Sequence, residues 1–117
     1  MSKIIMILRR PPYGDINAAE AVRHAMGGIA DDLNIHLVLI DGGVLLTKKG
    51  QDESGTGFTN LEEALKDCID MGVEVSAEEL SLKYNCLEPQ DIVDGVKIIS
   101  EAEIAELLTD AKTTMIF

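Results

Sequence analysis

The chain has 117 residues, with 10 basic and 21 acidic side chains and a formal net charge of −11. Hydrophobic residues make up 46%, aromatics only 3%, and tryptophan is absent. This hydrophobicity excludes a disordered chain. The charge argues against nucleic acid and anionic membranes as direct partners, because both are held by Lys and Arg, and there are few rings on which bases could stack.

The length suits a single domain over 1–117. A chain of this mass buries about two-thirds of its unfolded surface, enough for a core without covalent staples. The apolar run held within Met1 to Leu8 is too short for a signal peptide, and no stretch approaches the ~20 apolar residues of a membrane span. The expected location is the cytoplasm.

In chain order, Lys3 to Leu8 reads as a buried strand stopped by Arg9-Arg10-Pro11-Pro12. Asp15 is placed to cap a helix whose apolar face carries Ala18, Val22, Ala25, Met26, Ile29 and Leu33. Gly27-Gly28 weakens that helix, and a close helix–sheet contact would account for the pair. Ile35 to Ile40 is a second buried strand, ended by Asp41-Gly42-Gly43, with a short helical turn over Val44 to Leu46. Lys48 to Gly57 is polar and glycine-rich, a long exposed loop. Asn60 with Glu63 signals a capping box for a helix bearing Leu61, Ala64, Leu65, Cys68 and Ile69, and Gly72 ends it.

Val73 to Val75 is a third strand. Ser76 with Glu79 is a second capping-box signal, for a short helix through Tyr84. Pro89 suits the first turn of another helical segment to Val93, and Val96 to Ile99 reads as a fourth strand. Ser100 with Glu103 is the clearest capping box, opening a helix with Ile104, Leu107, Leu108 and Ala111 on its apolar face. Thr113 to Phe117 is the last strand. Continuous apolar strands alternating with amphipathic helices predict an α/β fold: a three-layer α/β/α sandwich around a mainly parallel sheet of about five strands.

Such sheets bind ligands beyond the carboxyl ends of their strands. Those ends are Arg9 to Gly14, Asp41 to Val44 and Ser76 to Ser81. Phosphate motifs fail there: Lys48-Lys49-Gly50 lacks the preceding glycine of a phosphate loop, and Gly55-Thr56-Gly57 lacks a third glycine. His24 and His36 are too isolated for a metal centre, and no metal or cofactor is expected. Cys68 lies on an apolar helix face and reads as core. Cys86, after Tyr84-Asn85 at a helix end, is the candidate reactive thiol, with Lys83 the one cation near it in sequence. Glu78 is either a first-turn carboxylate that complements the helix dipole or an acid, base or ligand-binding group facing the cleft. Lys48 and Lys49 read as loop solvation before anion binding.

Arg10-Pro11-Pro12-Tyr13-Gly14, the Ala-rich helix, Leu39-Ile40-Asp41-Gly42-Gly43-Val44 and Lys48-Lys49-Gly50-Gln51 resemble, in this order and spacing, the DsrE/DsrF-like family. Phe58 to Leu65, Gly72 to Val75, Leu87 to Val96 and Ala111 to Phe117 continue the likeness over nearly the whole chain. The resemblance implies a compact α/β domain that forms trimers or hexamers, or hetero-oligomers with related sulfur-relay subunits, some of which carry persulfide on cysteine. It places that cysteine, often as Cys-Gly-x-Cys, about six residues after Gly72, where this chain has Glu78 and Ser81, and a later family glycine at Cys86. Neither carboxylate nor hydroxyl holds a persulfide. The expectation is a non-catalytic partner or ligand-binding subunit linked to sulfur metabolism, leaning away from an enzyme. The alternatives are a sulfur carrier using Cys86, and a small-molecule binder at the cleft around Tyr13, Gly14, Asp41, Gly42, Glu78 and Ser81.

Overall fold

A computed structural model describes residues 3–12, 16–51 and 60–117. The elements run β1 (Lys3–Leu8), α1 (Asn17–Ala30), β2 (Asn34–Leu39), a 3-10 segment (Asp41–Thr47), α2 (Leu61–Asp70), β3 (Glu74–Glu78), α3 (Glu79–Tyr84), a 3-10 turn (Pro89–Asp91), β4 (Lys97–Ile99), α4 (Glu101–Asp110) and β5 (Thr113–Ile116). The strands form one sheet in the order β4-β3-β2-β1-β5, and every strand pair is parallel.

The two faces of the sheet build separate cores, as the twofold alternation of strand side chains requires. Met6, Leu8, Leu37, Leu39 and Val75 pack with Ala18, Val22 and Ala25 of α1, Leu65 and Cys68 of α2, and Leu82 of α3. Ile5, Ile7 and Val38 point the other way and pack with Ile99 and Ile104, with Leu107 and Ala111 against them. Among the described residues three helices therefore cover one face and α4 the other, which is the expected sandwich with unequal layers.

The helix ends follow local chemistry. Asn60 accepts from the N–H groups of Glu62 and Glu63, and Ser100 with Glu103 forms a reciprocal capping box. The helices α1, α2 and α3 all end in the same paired bonds. Leu33 N–H reaches Gly28 and Asp32 N–H reaches Ile29; Val73 reaches Cys68 and Gly72 reaches Ile69; Leu87 reaches Leu82 and Cys86 reaches Lys83. This is the Schellman arrangement, whose pivot residue needs a left-handed backbone. The pivots are Asp32 (φ 62°), Gly72 (φ 106°) and Cys86 (φ 59°).

Several sequence expectations need correction. Ser76 does not cap α3: it lies inside β3, buried, because β2 and β4 pair with β3 as far as Ala77 and Glu78 and carry the strand past Val75. The backbone of Glu78, the last strand residue, precedes α3 without a side-chain cap. Leu33 and Leu108 are exposed, Leu33 because the Schellman turn takes it out of the helix and Leu108 because it lies off the stripe occupied by Ile104 and Leu107. Of the glycine pair, only Gly28 makes the expected close contact. A Cβ there would meet Ile35 Cδ1 at 2.8 Å, whereas at Gly27 it would meet nothing. The Asp15 cap and most of the glycine-rich loop, Asp52 to Thr59, lie outside the described residues.

Candidate functional site

At the carboxyl ends of β2 and β3 the chain forms an open cavity of about 350 Å³ between the start of the 3-10 segment and α3, lined by Asp41, Gly42, Glu78, Ser81 and Asn85, with Leu80 and Tyr84 at its rim. The 3-10 segment is seated tightly. A Cβ on Gly43 would approach Leu8 O to 2.2 Å, so only glycine allows this turn to rest on the end of β1. Its N–H bonds Ile40 O at 2.8 Å. Asp41, the first residue of the segment, has φ 49°, and its main-chain N–H is turned toward α3.

Ser81 receives that N–H. Asp41 N donates to Ser81 Oγ at 2.8 Å, and Ser81 Oγ donates in turn to Glu78 Oε1. Asn85 closes the group, with Nδ2 donating to Ser81 O at 2.8 Å and to Asp41 O at 3.2 Å. Four residues from two connections thus form one hydrogen-bonded bracket. Ser81 is only 4% exposed, and its hydroxyl is already engaged as both donor and acceptor.

The structure brings together four of the sequence-predicted site residues, Asp41, Gly42, Glu78 and Ser81. Tyr13 and Gly14 lie outside the described residues. Cys86 stands one residue beyond Asn85, exposed, while Cys68 is buried. Burial, helped by the Asp67 carboxylate, raises the Cys68 thiol to about 11, and its Sγ faces Val22 O at 3.7 Å. Lys48 and Lys49 are exposed and belong to a small antiparallel bridge, Lys48 with Ile92. His24 is exposed on α1, with Nδ1 2.7 Å from Glu20 O. Sequence reasoning missed Asn85 and Tyr84. Their signal was an asparagine at a helix end and an aromatic four residues after Leu80, which share one helix face.

The model of the DsrE/DsrF-like family matches residues 2–117. The chain belongs to the DsrE/DsrF-like family. Among similar proteins, an uncharacterized protein of Methanopyrus kandleri is 28% identical, over 97% of this chain and 93% of its own length. The intracellular sulfur oxidation protein DsrF of Allochromatium vinosum is 26% identical, over 100% of this chain and 97% of its own length. The crystal structure of the ychN protein from E. coli superposes with a TM-score of 0.91, covering all of both chains at 24% identity. A protein of unknown function from Methanobacterium thermoautotrophicum gives 0.78 at 16% identity, again covering all of both chains. Both carry the same fold. Among the described residues no helix is long and apolar enough to cross a membrane, and no group of three or more His, Cys, Asp or Glu side chains is arranged to hold a metal.

Proposed function

We propose that this DsrE/DsrF-like chain is a non-catalytic partner or ligand-binding subunit linked to sulfur metabolism. The name of its Allochromatium vinosum relative supports the pathway. The bracket at the cleft carries the rest. The positions at which the family resemblance expects sulfur-bearing cysteine are held by Glu78 and Ser81; Ser81 Oγ donates to Glu78 and accepts from the Asp41 N–H. An engaged carboxylate and a buried hydroxyl bind and position; they do not take up sulfur. The cleft volume is at the lower end of the roughly 300–1,000 Å³ of small-molecule sites. The rim offers Tyr84, 93% exposed, and Leu80, 57% exposed. Leu80 and Tyr84, four residues apart on one face of α3, form an exposed apolar patch bordered by polar groups, which suits contact with another protein. Assembly with copies of itself or with related subunits, in trimers or hexamers, belongs to the same reading, as does a cytoplasmic location.

The alternative is a sulfur carrier at Cys86, favoured by its being the exposed cysteine beside the cleft. There its thiolate would attack the outer sulfur of a donor persulfide, forming a new S–S bond and releasing the donor thiolate. Intact mass after incubation with a persulfide donor separates the two. A protein without stable added sulfur, or with a trace that disappears in Cys86→Ser, supports the partner reading. Stoichiometric sulfur on Cys86 that can be passed to an acceptor overturns it.

A further inference from the structure

The sheet has two edges, β4 and β5, and they are guarded unequally. β4 has three residues and opens with Lys97; brevity and charge are the usual protections of an edge strand. β5 contains neither a charge nor a proline, and Thr113 to Phe117 is an uncharged run in a chain of net charge −11. Hydrogen bonds fix which of its backbone groups are spare. Leu8 O accepts from Ile40 N, so Leu8 is turned toward β2. Its neighbours are turned toward β5, where Phe117 N donates to Ile7 O at 2.7 Å and Arg9 N donates to Phe117 O at 3.1 Å. Successive residues of a parallel ladder present their backbone groups to opposite sides. Phe117 and Met115 therefore face β1, while Thr114 and Ile116 turn two N–H and two C=O groups to the outer edge. Among the described residues no hydrogen bond reaches those four groups.

Apolar side chains at the same edge are uncovered. Thr114 and Ile116 stand beside Ile5 and Ile7 in the register and so lie on the α4 face; Thr114 is exposed and Ile116 is 65% exposed. On α4, Glu103, Glu106 and Asp110 share a cavity with residues of β3 and β4. Helical spacing puts the exposed Leu108 on the opposite flank, toward β5. Met115 and Phe117 point to the other face and pack against the larger core. The edge thus offers spare hydrogen-bonding groups, an exposed apolar side and no charge.

We propose that β5 is a two-fold interface: it pairs antiparallel with β5 of a second copy, centred on Met115, and joins two five-stranded sheets into one. The strand is its own complement. With Met115 opposite Met115 of the second copy, each Thr114 falls opposite an Ile116, and such a pair exchanges both of its N–H···O bonds. All the spare groups of both copies are satisfied. The two-fold axis stands perpendicular to the sheet, so both α4 helices lie on one side, where Ile116 and Leu108 of each copy close over the junction. Charge decides for a second copy of this chain: two strongly acidic molecules repel over most of their surfaces, and a neutral edge is where they meet without that cost. A contact of this size lies near the ~1,200 Å² lower end of specific interfaces, so a dimer of micromolar strength is expected. This interface presupposes the self-assembly proposed above and gives it a two-fold contact, which a hexamer contains.

The test is sedimentation velocity of the full-length protein across the micromolar range, with circular dichroism to show that each variant is folded. Thr114→Pro removes an outward N–H and spares the ladder to β1; Ile116→Lys puts a charge on the exposed edge. Each is expected to weaken self-association by about tenfold or more. Disulfide trapping in a Cys86→Ser background reads the register. Met115→Cys should cross-link on oxidation, because directly opposite residues without hydrogen bonds bring their Cα atoms to about 4.5 Å, within disulfide reach. Thr114→Cys should not, because that residue and its copy stand about 9 Å apart. Self-association unchanged in both edge variants, or equal cross-linking at the two positions, overturns this interface and leaves assembly through another surface standing. A parent chain that stays monomeric overturns the interface and self-assembly together, and gives the edge to an extended segment of a different protein; the reading of the cleft is decided separately, by the persulfide experiment.

Discussion

Cys86 occupies a backbone position that suits glycine. It is the pivot of the turn that ends α3, at φ 59°, where a Cβ crowds the following carbonyl. The expected family glycine at this position fits that requirement. Cys86→Gly is therefore predicted to stabilise the fold by about 0.5–1 kcal/mol, after the greater unfolded-state freedom of glycine is allowed for. It should raise the urea midpoint without changing the slope. Gly72→Ala is the opposite case: space is open, with Ile29 Cδ1 4.0 Å away, but φ is 106°, and the expected loss is about 1 kcal/mol or more. A second residue-scale effect concerns His36. Its pKa is lowered from 6.5 on folding, chiefly by burial. As pH falls below 6.5 the unfolded chain takes up a proton that the folded chain still refuses, so stability declines until the folded-state pKa is passed. In His36→Gln, which keeps a hydrogen-bonding group toward Ser76, the drop in urea midpoint between pH 7.5 and 5.5 should shrink. A drop as large as in the parent chain would place the acid sensitivity elsewhere.

Among the elements, the hydrogen-bonding hydroxyls of Ser81 and Ser100 have unequal weight. Ser100 caps α4 at an exposed end, and Ser100→Ala should cost about 1 kcal/mol. Ser81 joins two elements across the cleft, and Ser81→Ala strips the partner from both Asp41 N–H and Glu78. That loss is expected to reach about 1–3 kcal/mol because part-buried groups are left unpaired. Urea unfolding of the two variants checks the order, and an equal loss would mean that the bracket contributes no more than a surface cap. Glu62 in the first turn of α2 illustrates the same point. Burial alone would raise its pKa, yet the Gln51 N–H, the Lys66 ammonium and the Gly50 N–H together lower it. This carboxylate therefore ties the first part of the loop to α2, with Gln51 N donating to Oε1 at 2.9 Å.

Across the whole molecule the unequal layers set where stability resides. Leu65 is fully buried in the larger core, and Leu65→Ala should cost about 2–5 kcal/mol. Ile104 belongs to the smaller cluster under α4 and keeps 8% exposure, so Ile104→Ala should fall at or below the lower end of that range; thermal or urea unfolding of the pair tests the asymmetry. The net charge of −11 acts at this scale too. Fluorescence anisotropy with single-stranded RNA at about 0.15 M salt should show no binding by the isolated chain at micromolar concentration, since few cations are available to release counterions. Tight binding that persists as salt is raised would contradict it.

Alternation and capping made the fold legible from the chain. Buried parallel strands leave continuous apolar runs such as Ile4 to Leu8 and Leu37 to Leu39, and Ser100-Glu103 and Asn60 mark helix starts by chemistry confined to a few residues. Asp41, Gly42, Glu78 and Ser81 were legible as a site because parallel strands bring their carboxyl ends to one edge. What lay out of reach depended on partners distant in sequence. Ser76 reads as a cap by its local spacing, yet pairing with β2 and β4 draws it into the sheet, where His36, 40 residues earlier, takes its hydroxyl. The same long-range register orients Asp41 N–H toward Ser81 and leaves His36 Nδ1 facing Glu74. Periodicity records which face of an element is apolar. Only the packed sheet decides which polar groups meet across it, because each such meeting joins elements whose spacing along the chain carries no signal of their contact.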